Sequence, residues 1–300
     1  MIRTFKEIVE TAKAKGPKTI AVAVAQDADV LSAVNAAKKY GIAEAILIGD
    51  KDEIIKASEE CGIDIGSYEV IDIKDKTEAS RKAVEMVSTG KADILMKGIV
   101  DTAIVLKAVL DENIGLRTGN ILSHAAVFEV PGFDRLFYVT DPAMILSPDL
   151  AQKKQIIENI IPVTNALGNY NPKVAVLAAI EKVNPKMQAT VDAAELVKMN
   201  ETGELKGCIV GGPFALDNAI SVEAAKHKGV THPVAGYADV LLVPYIEVGN
   251  VLYKSMVYYA GAMVAGILLG AKAPVVMTSR SDSDAAKLNS IAIAVLMASV

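Results

Sequence analysis

KTIAVAVA (18–25), DADVLSAVNAAKKYG (27–41) and EAILIGD (44–50) follow one another almost without interruption. The first and third are apolar runs of strand length. The second repeats its apolar residues at helical spacing and ends on Gly41. A strand with no polar face is covered on both faces, so this alternation means βαβ units and a parallel sheet between helical layers. The pattern continues outward: a helix over KDEIIKASEECG, a strand at YEVIDI (68–73), a helix over TEASRKAVEMVSTG, a strand at ADILMKG (92–98) and a helix over DTAIVLKAVLDENIG. Right-handed crossovers then bring the strand C-termini to one edge, where ligands of such sheets bind.

Beyond Gly98 the rhythm changes. AAVFEV (125–130) and LFYVT (136–140) flank PGFD and predict an antiparallel hairpin. A second alternation starts at Asp141. It has a helix over SPDLAQKKQIIENIIPVTNALG broken near Pro162, a strand at PKVAVLAAIE and a helix over MQATVDAAELVKMNETG. LKGCIVGGP and ADVLLVPY are strands with a helix around NAISVEAAKHKG between them. Residues 255–271, SMVYYAGAMVAGILLGA, carry no charge, are short for a membrane span and contain three glycines, so they read as a buried helix. A strand APVVM (273–277) and a final helix close the chain.

Composition narrows the function. Of 300 residues 52% are hydrophobic and only 5% aromatic, so a sizeable core is aliphatic. The net charge of −5 argues against nucleic acid as a main partner. Cys61 and Cys208 form no CxxC or Cys/His pattern, and the charged N-terminal helix is no secretory signal, so the cytoplasm is the default compartment. GxxxxGK[ST], HExxH, GxSxG and a complete GxGxxG are all missing, which removes support for nucleotide hydrolysis, zinc proteolysis, α/β-hydrolase chemistry and dinucleotide binding.

Polar clusters remain at the predicted strand ends. MTSRSDSD (277–284) joins APVVM to the last helix. Ser281 with Asp284 fits a capping box; with Arg280 added, the same stretch is a phosphate cradle at a helix N-terminus. In VPYIEVGNVLYK, Gly249-Asn250 turns the chain into the buried helix and puts Lys254 in its first turn, a costly place for a cation unless an anion sits there. In IVGGPFALDNA, Gly211, Gly212 and Pro213 follow a strand and either make a tight turn or admit a ligand. Glu181, Asn184 and Lys186 gather past another strand; Lys97, Thr102 and Lys107 surround a turn; Ser123 and His124 lie near the hairpin. Arg, Lys, Ser, Thr and Gly at strand ends, with few metal ligands, suit a small anionic substrate handled by positioning and oxyanion stabilisation.

TDPAMILSPDL, PKVAVL, GGPFALDNAIS, VGNVLYK and TSRSDS, in this order over nearly the whole chain, resemble the phosphate acetyltransferase and phosphate butyryltransferase family. LSHAAVFEVPG, EKVNPKMQATVDA and SRSDS look more like the butyryl branch. The resemblance implies reversible exchange of an acyl group between CoA and phosphate, no metal or other cofactor, and homodimers or larger assemblies. It also implies two three-layer α/β domains with an interdomain site, expected at 1–140 plus 273–300 and at 141–272. It puts a phosphate-binding arginine on Arg280 and an assisting serine on Ser279. Seven positions after that serine the acetyl branch has an aspartate; here stands Ala286, and the nearest carboxylates are Asp282 and Asp284. Where that branch has an arginine after DTAIV, this chain has Lys107, with Arg117 further on. Lys107, Ser123, His124, Lys186, Gly212, Pro213, Asn250, Lys254 and Ser281 complete the expected substrate contacts. An acetyl-specific enzyme and a non-catalytic acyl-CoA- or anion-binding homologue are the competing readings.

Overall fold

The computed structural model describes residues 1–278 and 282–299. In chain order its elements are α1 (Phe5–Lys15), β1 (Lys18–Ala23), α2 (Ala28–Lys39), β2 (Ala43–Gly49), α3 (Lys51–Glu60), β3 (Glu69–Asp72), α4 (Lys76–Ser88), β4 (Ile94–Lys97) and α5 (Thr102–Val109). Then come β5 (Ser123–Glu129), β6 (Leu136–Thr140), α6 (Leu150–Ala166), β7 (Lys173–Leu177), α7 (Gln188–Glu201), β8 (Ile209–Phe214), α8 (Leu216–Ile220), α9 (Val222–His227), β9 (Val240–Leu242) and α10 (Ile246–Tyr258). β10 (Met263–Leu269), β11 (Val275–Val276) and α11 (Asp284–Met297) follow. No described helix is long and apolar enough to cross a membrane.

The chain divides into two compact units. The first holds residues 5–120 and 265–300, and the second residues 1–4 and 121–264. In the first unit the strands lie in the order β3-β2-β1-β4-β11-β10. All neighbours are parallel except β10 with β11. Ile20 to Ala25 are wholly buried, as expected of a central strand with helices on both sides. Three of the connections use the same device: Asp27, Asp50 and Asp75 end a strand's turn and accept backbone N–H groups of α2, α3 and α4. α11 lies against α1 and α2, with Ile291 to Leu296 all buried.

In the second unit the order is β5-β6-β9-β7-β8; β5 and β6 form the expected antiparallel hairpin and the other pairs are parallel. The hairpin thus belongs to the second unit, and residues 265–272 to the first, so the divisions fall at 120/121 and 264/265 rather than 140/141 and 272/273. Pairing decides this: β6 is hydrogen-bonded to β9, and β10 to β11.

Three elements differ from the sequence reading. The single buried helix over 255–271 is instead the end of α10 followed by β10. Gly261, at φ +63°, lies in the turn between them. A strand buried on both faces and a buried helix are equally apolar, so period alone does not separate them. α6 is not broken at Pro162. Pro162 is exposed, so the carbonyl it frees faces the solvent side, while Ile160, Val163 and Thr164 stay buried around it. Gly211, Gly212 and Pro213 lie within β8, not after it.

Helices α6 and α7 are joined by an ion pair inside the second unit. Lys153 and Asp192 are 2.5 Å apart and nearly inaccessible. The Gln188 side chain donates to the other Asp192 oxygen at 2.7 Å. Removing one member strands the other charge in the interior, whereas removing both does not. Lys153→Met is expected to cost about 3–5 kcal/mol in urea unfolding, and Lys153→Met/Asp192→Leu to recover most of it.

Candidate active site

In the first unit β1, β2, β4 and β11 run parallel, so their C-termini share one edge. Val24, just past β1, has φ +59°, a conformation that a β-branched residue adopts at a cost of roughly 1–3 kcal/mol. It is held there by the Ile99 N–H donating to its carbonyl at 2.9 Å. Beside it Lys97 is buried, its Nζ donating to the carbonyls of Gly98 and Val100 at 3.3 and 3.1 Å. Gln26 brings a buried side-chain oxygen with no hydrogen-bond partner in the structure to the same edge.

Next to β4 on this edge, β11 ends at Val276, and α11 starts at Asp284. Ser279, Arg280 and Ser281 lie outside the described residues. The helix cap is Ser283, whose hydroxyl accepts the Ala286 N–H at 3.2 Å; the expected Ser281/Asp284 box is not the cap of α11. Ala286, at the position of the missing aspartate, is buried. Lys287 is buried one residue on and donates to the Asp282 carbonyl at 2.5 Å, with the Asp29 carboxylate of α2 at 3.6 Å. It ties the backbone next to the Ser-Arg-Ser stretch to the body of α11. Asp282 is half-buried and Asp284 exposed in the first turn. Lys107 is exposed in the last turn of α5, carried away from the strand edge to a helix end that favours a cation.

The second unit has its own buried polar cluster. Ser123 and His124 open β5. The Asn159 amide donates to the Ser123 hydroxyl at 3.0 Å and to the Ile121 carbonyl at 2.9 Å. One Asp141 oxygen accepts the N–H groups of Ala143 and Met144, both at 2.8 Å, and the other accepts the His124 N–H at 3.1 Å. The Thr140 hydroxyl donates back to the His124 carbonyl at 2.9 Å. Burial pushes the Asp141 carboxyl up from its usual range, against the downward pull of these N–H groups and of His124. Sequence reading placed Ser123 and His124 but missed Asp141 and Asn159, which stand elsewhere in the chain; only TDPAMILSPDL pointed to Asp141.

Other expected contacts are dispersed in this unit. Gly212 and Pro213 are packing residues: a Cβ on Gly212 would lie 2.9 Å from the Val176 carbonyl and 3.4 Å from Ala193 Cβ. Lys186 is exposed, its N–H donating to the Asn184 side chain at 3.0 Å. Glu181 accepts from Asn218 and, at 2.7 Å, from Lys228, which holds its carboxyl below the usual range. α10 begins at Ile246, so Gly249 and Asn250 are inside the helix and exposed Lys254 is in its third turn; the unfavourable first-turn placement does not exist. Gly249 faces inward, where a Cβ would come within 2.6 Å of Pro142 Cα.

A two-unit α/β chain with parallel strands ending at a common edge defines the class by fold; the relatives define the activity. The family model described as phosphate acetyl/butaryl transferase matches residues 3–82 and 74–295. The chain is 53% identical to the phosphate butyryltransferase of Clostridium acetobutylicum over 298 residues, 99% of each chain. It is 48% identical to the phosphate acetyltransferase of Thermotoga maritima over 294 residues, 98% of this chain and 99% of that one. A crystal structure of a branched-chain phosphotransacylase from Enterococcus faecalis V583 superposes with a TM-score of 0.83 at 36% identity, covering 94% of this chain and 99% of the other. The chain belongs to the phosphate acetyl/butyryl transferase family, and it is a phosphate acyltransferase.

Asp141 has a testable consequence. Its raised folded pKa means that its contribution to stability is fully present below the unfolded value, near 3.8, and is lost as pH rises through the folded value. Asp141→Asn cannot titrate and sets an amide N–H against that of His124, or against those of Ala143 and Met144. The variant is expected to be less stable by about 1–3 kcal/mol. The gap from wild type should widen when urea unfolding is repeated at acid pH; a gap that narrows there contradicts the assignment.

Proposed function

We propose that the protein moves a butyryl or similar short acyl group reversibly between CoA and inorganic phosphate, with Ser279 and Arg280 at the reacting centre. The observation that supports this most is the frame around them: a parallel strand ending beside buried Lys97, then a capped helix whose first turns are pinned through Lys287 and Asp282. Arg280 holds phosphate through its planar fork. A phosphate oxygen attacks the thioester carbonyl; the oxyanion is met by the Ser279 hydroxyl, with Ser281 beside the phosphate. The C–S bond breaks and the CoA thiolate leaves and takes up a proton. In reverse, a thiol with pKa about 8.5 must lose that proton to a carboxylate, and Asp282 and Asp284 flank the helix start where one is needed. Transfer is direct. Burial pushes the Cys208 thiol up to about 11, which disqualifies it as a nucleophile.

Butyryl preference is favoured by identities of 53% and 50% to two clostridial phosphate butyryltransferases, against 48% to the Thermotoga maritima phosphate acetyltransferase. An acetyl-specific enzyme remains the second reading on that narrow margin. We further propose a cytoplasmic homodimer or larger homo-oligomer that needs no metal; CoA is substrate and product, not a resident cofactor.

Thiol release from butyryl-CoA and acetyl-CoA in phosphate tests the assignment. Ser279→Ala should lower kcat roughly a hundredfold. Arg280→Lys keeps the charge but loses the fork, so KM for phosphate rises and kcat falls. Unchanged kinetics in both variants would remove the site from this segment. Exhaustive dialysis against a chelator should leave the rate unaltered; a loss restored by a divalent cation refutes the metal-free reading.

A further inference from the structure

Lys97 ends β4 and is buried, with its Nζ on the carbonyls of Gly98 and Val100. These dipoles fix the ammonium without cancelling its charge. A neutral amide donor would tie the same turn at a lower cost of burial. The turn is in addition locked to the end of β1. The Gly98 N–H donates to the Ala23 carbonyl at 2.8 Å and the Ile99 N–H to the Val24 carbonyl at 2.9 Å. Gly98 has no room for a Cβ, which would strike the Val24 carbonyl. A left-handed valine, a glycine and a buried lysine thus share one knot of backbone, and strain of this kind collects at functional sites. Toward β3 the same sheet edge is closed to an anion. Asp27, Asp50 and Asp75 occupy the helix N-termini after β1, β2 and β3, and Asp72 ends β3. Asp101, the corresponding residue after β4, makes no side-chain bond to α5. On the other side, the register of Val275 with Leu95 and Val276 with Met96, carried on by one residue, sets buried Met277 beside Lys97.

We propose that Lys97 is a further catalytic residue of the acyl transfer, its ammonium contacting the phosphate that attacks the thioester. This rests on the reading that phosphate reacts at the end of β11. The backbone knot sets the ammonium before substrate arrives, so no reorganisation is needed during the reaction. In the forward direction the ammonium holds the phosphate whose oxygen forms the bond to the acyl carbon. In reverse, the CoA thiolate attacks the acyl phosphate and the C–O bond breaks. Its electron pair returns to phosphate, and the same contact meets that charge. Burial of a full charge at this strand end, dear to the fold and replaceable there by a neutral donor, is thereby accounted for.

Thiol release measured at varied phosphate and at varied butyryl-CoA tests this on wild type, Lys97→Gln and Lys97→Met, with circular dichroism confirming that each is folded. Lys97→Gln keeps an N–H donor for the two carbonyls and removes the charge. Its kcat/KM for phosphate should fall roughly tenfold to a hundredfold, as for loss of a hydrogen bond from a charged group, while KM for butyryl-CoA stays within about twofold. Lys97→Met should show the same split. A lysine that only ties the turn predicts otherwise: Lys97→Gln is then close to wild type in kinetics. If Lys97→Gln is poorly folded, Lys97→Met decides by the same two KM values. Neutral variants that match wild type on phosphate, or whose KM values for both substrates rise together, overturn the role of Lys97 and leave the proposed function standing. If neither neutral variant folds, the ammonium serves the fold and the inference falls. A wild type that releases no thiol in phosphate overturns the proposed function as well.

Discussion

The register that sets Val275 beside Leu95 and Val276 beside Met96 is the constraint on which the first unit depends. It is two residues long and joins segments far apart in the chain. β11 enters between β4 and β10, and α11 can bury its Ile291–Leu296 face only because β11 delivers it to α1 and α2. The same pairing fixes which edge receives the segment after β11. Parallel neighbours end together, so Lys97, the strained Val24 and the start of α11 are gathered by sheet geometry and not by proximity in sequence.

The second unit adds buried polar groups to its strand pairings. Asp141 satisfies three backbone N–H groups, and Asn159 joins α6 to the start of β5. Such groups are costly when unpaired and directional when paired, so they fix one arrangement of the hairpin, the 141–144 turn and α6. Lys153 with Asp192 does the same between α6 and α7. Polar side chains that hold the frame are thus buried, while most of those picked out as substrate contacts in this unit are exposed.

Much of the first unit was legible because apolar runs of strand length alternate there with apolar residues at helical spacing; the aspartates that cap α2, α3 and α4 were not read from the sequence and emerge from the structure. Legibility failed where a signal has two physical sources. MVAGILL is apolar because both faces of a strand are covered, yet a buried helix would look the same. Pro162 breaks a helix only if the freed carbonyl has nowhere to go, and exposure is not written in the local sequence. Ser281 and Ser283 are both serines ahead of an apolar run; the S-x-x-D pattern favours the first, but α11 starts at Asp284 with Ser283 as its cap. Lys287, Asp141 and Asn159 were missed because each has partners in another element, Asp29 for Lys287, the His124 N–H for Asp141, and Ser123 and the Ile121 carbonyl for Asn159, and no spacing rule reaches across a fold.

The segment MTSRSDSD shows how these strands of reasoning meet. Local pattern explained its polarity as capping, and capping is indeed present, by Ser283 on the Ala286 N–H. That bond uses one of the four N–H groups a helix N-terminus offers. Lys287 sharpens the point. A buried lysine is expensive to maintain, and its contacts are a backbone carbonyl at residue 282 and a mostly exposed carboxylate on α2. Stability alone would be served by an apolar residue there. What the lysine achieves is to fix the chain one residue beyond Ser281, which is worth its cost if Ser279, Arg280 and Ser281 have to be held in register with a substrate.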